Sequence, residues 1–230
     1  MPRRRSLKRG TPVTSNGVLR YEALSADSAN NKWYNIAPKA AYDATLVMTA
    51  GDWPDFDGVG DYAHTGTFNS KPITETITDY TLEAWVNFDV VGNANRLIFL
   101  TNATFQEAIS LLVDNGSDQI WVRIRNSTNT TTVNTFGATA IAAGSWNHLV
   151  MSADSTSGMC ILYLNGHPDG GGLYTAPLSG DYGCFIACAN YGGAPSQALN
   201  GLCNNVRVYN KALSADEVAR NYYAGKAVHT

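Results

Sequence analysis

Side chains able to move a proton, attack a bond or hold an ion are scattered along this chain. Cleavage of a glycosidic bond needs two carboxyl groups about 5 Å apart for retention, or up to ~9.5 Å for inversion. Glu22, Glu75, Glu107 and Glu217 stand alone, and Glu83 is followed by Ala84 and Trp85, not by a second acid. Glu83 could act as a lone acid on the face it shares with Trp85; pairing with a neighbouring strand is the preferred reading. His64, His148, His167 and His229 have no nucleophile motif beside them, and His148, two residues after Trp146, is expected to pack. G-x-S-x-G and the phosphate-cradling G-x-x-x-x-G-K are both missing. Gly170-Gly171-Gly172 has no helix after it and reads as a flexible loop. No catalytic residue is assigned.

The stretch Asp52-Trp53-Pro54-Asp55-Phe56-Asp57-Gly58 offers three acids in six residues, superficially a calcium loop, but it lacks the Glu at the twelfth position that an EF-hand requires. Cys160, Cys184, Cys188 and Cys203 allow three disulfide pairings, and reduced, buried thiols are the preferred expectation. Cys184 and Cys188 lie four apart in an apolar stretch with no His close in sequence, which argues against a metal site.

A ligand-binding pattern is carried by QIWVRIRN. If Ile120, Val122 and Ile124 face a core, Trp121, Arg123 and Arg125 share the opposite face. An outward aromatic beside polar groups suits a sugar, whose C–H faces stack on rings and whose hydroxyls form hydrogen bonds. The alternative is that loops or a neighbouring subunit cover this face. Asn190, Tyr191 and the Asn-rich loop 126–134 are further rim candidates.

The elements that must position these groups are strands. In TLEAWVNF, Leu82, Ala84, Val86 and Phe88 share one face while Glu83, Trp85 and Asn87 share the other. RLIFL, AISLLVD, HLVMSA, MCILYLNG and CFIACAN repeat the strand signal between turn clusters. Asp114-Asn115-Gly116-Ser117-Asp118 predicts a hairpin in which Asn-Gly takes positive φ, and Ser155 to Gly158 and Asn165-Gly166 punctuate the next pair. The one predicted helix starts at the capping box Ser214-Ala215-Asp216-Glu217 and ends near Gly225, with Leu213, Val218 and Tyr222 on its apolar face. The fold class expected is all-β, a sandwich or jelly roll.

Composition agrees. The chain has 230 residues, with 44% hydrophobic and only 15% charged, enough for one large domain and too apolar for general disorder. The formal charge of -3 is unevenly spread: residues 1–10 hold Arg3, Arg4, Arg5, Lys8 and Arg9 and no acid, leaving 11 basic against 19 acidic side chains, near -8, on the rest. Residues 1–20 are therefore read as a basic arm that meets an acidic partner surface, and 21–230 as the domain. Five charges predict only weak, salt-sensitive attachment to nucleic acid. No secretory leader follows the first Met and no stretch approaches the ~20 apolar residues of a membrane span, so synthesis in a cytosol is expected. Asn102, Asn115, Asn126 and Asn129 satisfy N-x-[ST], a number close to chance in a chain this rich in Asn and Thr.

Four blocks in order resemble the LamG-like, concanavalin A-type jelly roll, the group that includes pentraxin-like and laminin G domains. They are Lys32-Trp33-Tyr34-Asn35 through Ala44-Thr45-Leu46 to Phe56-Asp57-Gly58-Val59-Gly60-Asp61-Tyr62; Tyr80-Thr81-Leu82-Glu83-Ala84-Trp85-Val86; Trp146-Asn147-His148-Leu149-Val150 with Leu162-Tyr163-Leu164-Asn165-Gly166; and Leu199-Asn200-Gly201 with Val206 to Val218. The resemblance implies two antiparallel sheets packed face to face, with binding at the loop rim or on the concave face. Glycanases of this fold carry alternating E-x-D-x-x-E on one strand face, which this sequence lacks. Many LamG-like domains hold a structural calcium; the matching group here is Asp57, Asp61 and Asn204, with Asn204 where the family commonly has an Asp. No other cofactor is implied.

These features favour a non-enzymatic structural or adhesion protein, first a bacteriophage virion component of head-decoration or fibre type. It would join a capsid or other virion protein through residues 1–20, form part of a homo- or hetero-oligomeric assembly and display a lectin-like domain. The second expectation is a free-standing carbohydrate-binding lectin, and the third a glycan hydrolase.

Overall fold

The structure, a computed structural model, describes residues 55–65, 78–93, 95–102, 108–175, 182–189 and 195–229, and the backbone alone at 17–21, 26–27, 32–33, 44–47 and 190. The strands are β1 (Gly17–Tyr21), β2 (Ala26–Asp27), β3 (Lys32–Trp33), β4 (Ala44–Val47), β5 (Asp55–Asp57), β6 (Tyr62–His64), β7 (Tyr80–Phe88), β8 (Asn95–Thr101) and β9 (Ala108–Val113). There follow β10 (Gln119–Arg125), β11 (Thr131–Ala140), β12 (Trp146–Asp154), β13 (Met159–Leu164), β14 (His167–Leu173), β15 (Gly183–Ile186), β16 (Ala189–Asn190), β17 (Pro195–Ser196), β18 (Asn200–Tyr209) and the helix α1 (Ala215–Lys226).

All pairings are antiparallel. One layer runs β1-β18-β7-β12-β13-β14 with β5 beside β18, and the other runs β11-β10-β9-β8-β15-β6-β4-β3-β2. This is the two-layer jelly roll expected, and α1 is its helix. Between the layers lies the core, fed by every second residue: Leu82, Ala84, Val86 and Phe88 from β7, Leu149, Met151 and Ala153 from β12, Ile109, Leu111 and Val113 from β9, and Ile120, Val122 and Ile124 from β10. The period of 2 in those segments follows from this arrangement, because only one face of each strand meets the opposing layer.

Among the described residues, the two layers are hydrogen-bonded to each other between β11 and β14. Gly137 of β11 pairs with Gly170 of β14. The run Gly170-Gly171-Gly172 is thus strand, not the flexible loop expected from sequence. A Cβ on Gly170 would collide with the Phe136 carbonyl oxygen and come within 3.0 Å of the Gly137 Cα, and one on Gly171 would come within 2.6 Å of the Cys160 carbonyl oxygen. Three bare backbones let β14 lie between β13 and β11.

Two other local expectations change. In the β9–β10 hairpin the positive φ falls on Asp118 (55°) and not on Asn115 or Gly116. Asp114 organises that turn by accepting from the Gly116 and Ser117 amides, each at 3.0 Å, an Asx arrangement that replaces the Asn-Gly signal. The segment read as an arm ends inside the sheet, because β1 pairs with β18 through Leu19↔Val208 and Arg20↔Arg207. Arg3, Arg4, Arg5, Lys8 and Arg9 lie outside the described residues.

The other face of the β7 layer is also covered. Ser214 accepts from the Glu217 amide at 3.3 Å and Glu217 accepts from the Ser214 amide at 3.0 Å, the capping box that starts α1. Ahead of it, the Leu213 amide donates to Thr81 Oγ1 at 2.9 Å and Ser152 Oγ donates to the Leu213 carbonyl at 3.0 Å, pinning the helix entry to β7 and β12. Leu213 and Val218 pack with Val150, Tyr163 and Tyr209, and Tyr222 stacks on Trp85 at 5.7 Å between centroids. The helix runs one residue past Gly225, which fits because Gly225 itself meets Trp85: a Cβ there would lie 2.5–2.8 Å from the indole.

Candidate functional site

The two outer faces differ in kind. Under α1, Glu83 is fully buried. Its Oε1 accepts from Arg207 Nη1 and lies 3.2 Å from His148 Nε2, while its Oε2 accepts from Asn221 Nδ2 at 2.7 Å and from the Tyr209 hydroxyl at 3.3 Å. Burial alone would raise this carboxyl, but the Arg207 charge and the hydrogen bonds from His148 and Asn221 outweigh it and hold the group at about 2. A group so enclosed, with three hydrogen-bond donors, the His148 ring beside it and no acid facing it in these contacts, ties β7 to β12, β18 and α1. That is the cross-strand role preferred from sequence, and it takes Glu83 out of a glycanase reading.

On the opposite outer face, β10 alternates as expected. Ile120, Val122 and Ile124 are fully buried, and Trp121, Arg123 and Arg125 are half-buried on the outside. Register brings Phe136 of β11 directly beside Trp121 and Asn134 beside Arg123. The Trp121 and Phe136 rings stack at 5.5 Å and 9°, and Phe136 is 40% exposed. Trp121 Nε1 donates to Asn134 Oδ1 at 2.7 Å, which fixes the indole in its plane. The Arg123 guanidinium lies 5.3 Å from the Trp121 ring centroid, a cation–π contact. Arg125 Nη1 donates to Asn129 Oδ1 at 3.0 Å.

Asn129 belongs to a well-braced turn. Asn126 Oδ1 accepts from the Thr128 amide at 3.1 Å and the Thr130 amide at 2.9 Å, and Asn129 takes φ 61°. The loop expected over 126–134 therefore shrinks to this turn, since β11 already begins at Thr131. Phe136 is the residue that sequence reasoning misses. Its signal is present: in TTVNTFGATA, Val133 and Thr135 are buried and Asn134 and Phe136 point out.

On β8, Arg96 is the cross-strand neighbour of Leu112, which is in turn the neighbour of Trp121. Arg96 is fully buried, donates to Ser110 Oγ and, through Nε at 3.1 Å, to Gln197 Oε1, and lies over Phe99 at 4.9 Å. Gln197 follows the β16–β17 hairpin, paired through Asn190↔Pro195, and its carbonyl accepts from the Arg96 amide at 3.0 Å, so this hairpin lies by β8, two strands away from β10. Tyr191 lies outside the described residues. The structure thus brings Trp121, Arg123 and Arg125 together with Phe136 and Asn134, and leaves Asn190 apart from them.

The metal group expected from the resemblance is taken apart. Asp57 Oδ1 accepts from the amides of Val59 (2.8 Å), Gly60 (3.0 Å) and Asp61 (3.2 Å), and Asp61 Oδ2 accepts from the Asp57 amide at 3.3 Å. Both carboxylates brace their own turn. Asp57 pairs with Asn200, so Asn204 sits four residues further along β18, ~13 Å away by strand rise and opposite Trp85. Asn204 Oδ1 accepts from the Asn205 amide at 2.7 Å. These residues do not fit one calcium ion, and among the described residues no three His, Cys, Asp or Glu side chains could hold a metal. The four thiols are free and buried, and burial raises Cys160, Cys188 and Cys203 to about 12, which leaves them protonated and inert at neutral pH. Among the described residues, no helix is long and apolar enough to cross a membrane.

A family model described as the concanavalin A-like lectin/glucanases superfamily matches residues 57–219. Among solved structures, domain 4 of an extracellular arabinanase from Geobacillus stearothermophilus, in complex with arabinotriose, is similar at a TM-score of 0.59 and 15% identity, covering 91% of this chain and 100% of that one. A heptameric SAP-like pentraxin from Limulus polyphemus is similar at 0.55 and 15%, covering 76% and 79%. The CBM40 of the Ruminococcus gnavus IT-sialidase, bound to α2,3-sialyllactose, is similar at 0.53 and 17%, covering 63% and 82%. No curated protein matches the sequence. At these identities the likeness extends to the fold.

Proposed function

Because the chain belongs to the concanavalin A-like lectin/glucanase superfamily, we propose that it is a non-enzymatic carbohydrate-binding module whose ligand lies on the outer face of β10 and β11. The observation that carries this reading is the stacked Trp121–Phe136 pair, turned outward and held flat by Asn134. A sugar ring presents C–H bonds to such a surface and hydroxyls to the polar groups around it, here Arg123, Asn134, Arg125 and Asn129. The arabinotriose and sialyllactose complexes of the similar structures support the class of ligand, not its identity.

A glycan array probed with wild type, Trp121→Ala and Phe136→Ala tests this. Wild type should bind a restricted set of glycans, and Trp121→Ala should weaken binding by about 30-fold, the scale of a buried aromatic anchor at ~2 kcal/mol. Both variants should unfold within a few degrees of wild type. Glycan binding that survives both substitutions would overturn the placement, and an array with no binder would overturn the function.

A second reading concerns residues 1–10, whose five basic side chains without an acid support attachment to an acidic partner surface such as a capsid protein. Deleting residues 2–10 is expected to abolish association with particles while leaving thermal unfolding unchanged. Co-sedimentation at wild-type levels would remove the virion expectation and leave the glycan reading intact.

A further inference from the structure

The large apolar side chains that the described residues expose are mostly dispersed: Val59 and Val90 lie outside the strands, and Tyr223 and Val228 lie on and just after α1. Phe136 and Leu173 differ, because register places them together. β14 pairs with β11 through Gly137↔Gly170, so Gly171 comes opposite Phe136 and Leu173 opposite Asn134. A Cβ on Gly172 would lie 3.2 Å from the Thr135 Cβ, which fits the same register. Leu173 is therefore the diagonal neighbour of Phe136, ~7–8 Å away and within reach of an aromatic side chain. Gly171 is exposed, and no side chain from that position separates the ring from the leucine.

Leu173 is turned outward by the alternation of its strand. Tyr174, the next residue, belongs to the core, whereas Leu173 is 74% exposed. On its other side Leu173 pairs with Met159, which is half-buried on β13. The Trp121–Phe136 platform thus continues across the β11–β14 seam into an aliphatic strip of Leu173 and Met159. Single exposed leucines are ordinary; one that prolongs an aromatic platform is not.

Size and charge restrict what can lie on this strip. Two side chains and the free edge of Phe136 cannot approach the ~800 Å² per side that a protein partner covers. An anionic membrane surface is not matched either, since the chain outside residues 1–10 carries 11 basic against 19 acidic side chains and Asp154 is paired with Met159. A further sugar ring would find no strong hydrogen-bond partner for its hydroxyls on Leu173 and Met159. An aliphatic chain needs none, and the flexible thioether of a methionine adapts to its shape.

We propose that the saccharide bound here carries an aliphatic chain, as a glycolipid does, with a sugar ring on Trp121 and Phe136 and the first methylenes of the chain on Leu173 and Met159. This rests on the glycan-binding reading above and adds to it the group attached to the sugar.

Titration calorimetry with matched pairs tests it: the octyl against the methyl β-glycoside of glucose, of galactose and of lactose, each below its micelle-forming concentration. In at least one pair the octyl compound should bind at least about ten times more tightly, the scale of burying about two methylenes. Trp121→Ala should weaken both members of that pair. Leu173→Ser should remove most of the octyl gain while leaving the methyl glycoside affinity and the unfolding midpoint at wild-type values, and Leu173→Met should keep the gain. Val59→Ser, at an exposed valine in the turn between β5 and β6, should change neither affinity. Equal, Trp121-dependent affinities within every pair would overturn the aliphatic strip and leave the glycan reading standing, as would an octyl gain that survives Leu173→Ser. Trp121-dependent binding on the array with none to these glycosides would also overturn this proposal, and no Trp121-dependent glycan binding at all would overturn both.

Discussion

Glu83→Ala is expected to destabilise the protein by about 3–5 kcal/mol, measured by urea unfolding followed through tryptophan fluorescence, because it leaves the buried Arg207 without its counter-charge. The carboxylate is where four segments meet: β18 through Arg207 and Tyr209, β12 through His148, α1 through Asn221, and β7 itself. Glu83→Gln keeps the shape and one acceptor oxygen but not the charge, and should fall between wild type and Ala. Pairing Glu83→Leu with Arg207→Leu should cost less than the sum of the single changes, with about 1–3 kcal/mol of coupling between them. A Glu83→Ala protein within about 1 kcal/mol of wild type would show that the network is incidental.

The same network gives a pH signature. The Glu83 carboxyl lies at about 2 in the folded protein against an ordinary 4.5. A group depressed on folding stabilises fully above its unfolded value and loses that stabilisation as the pH falls towards its folded value. Wild type should therefore lose on the order of 3 kcal/mol between about pH 4.5 and about pH 2, a slope that Glu83→Gln should lack.

How far the sequence can be read depends on what kind of information each feature carries. Period 2 marks which residues of β10 face the core, so Trp121, Arg123 and Arg125 are legible as a set from the amino-acid pattern alone. The period does not say what lies beside a strand. Arg207 and Asn221 are 124 and 138 residues from Glu83 in sequence, and only register and the docking of α1 bring them together. Phe136 is hidden for a related reason: β11 mixes Thr, Asn and Gly, whose low hydrophobic contrast masks the alternation. Motif order groups Asp57, Asp61 and Asn204, and the β18–β5 register separates them.

Glycine is where hydrophobic pattern fails altogether, since a residue without a side chain has no periodicity to show. Gly170→Val is accordingly expected to have the largest effect of any substitution in β14. The new side chain would collide with the Phe136 carbonyl oxygen and the Gly137 Cα, so β11 and β14 could pair only by moving apart. Crowding of this kind costs about 1–3 kcal/mol, and more where the backbone cannot yield. Gly170→Ala puts the same Cβ against the Phe136 carbonyl oxygen and should also destabilise, but without the two further methyl groups of Val it should be the milder change. Gly183→Ala is the control, because a Cβ there meets only the Thr101 carbonyl oxygen at an ordinary 3.9 Å; it should be near neutral. The seam lies next to the binding platform, as Phe136 precedes Gly137. Gly170→Val should therefore weaken glycan binding as well as lower the unfolding midpoint, whereas Gly183→Ala should do neither. If Gly170→Val lowered stability and left affinity at the wild-type value, β11 would have kept its place on β10 without β14, and the platform would owe its geometry to the β10–β11 pairing alone.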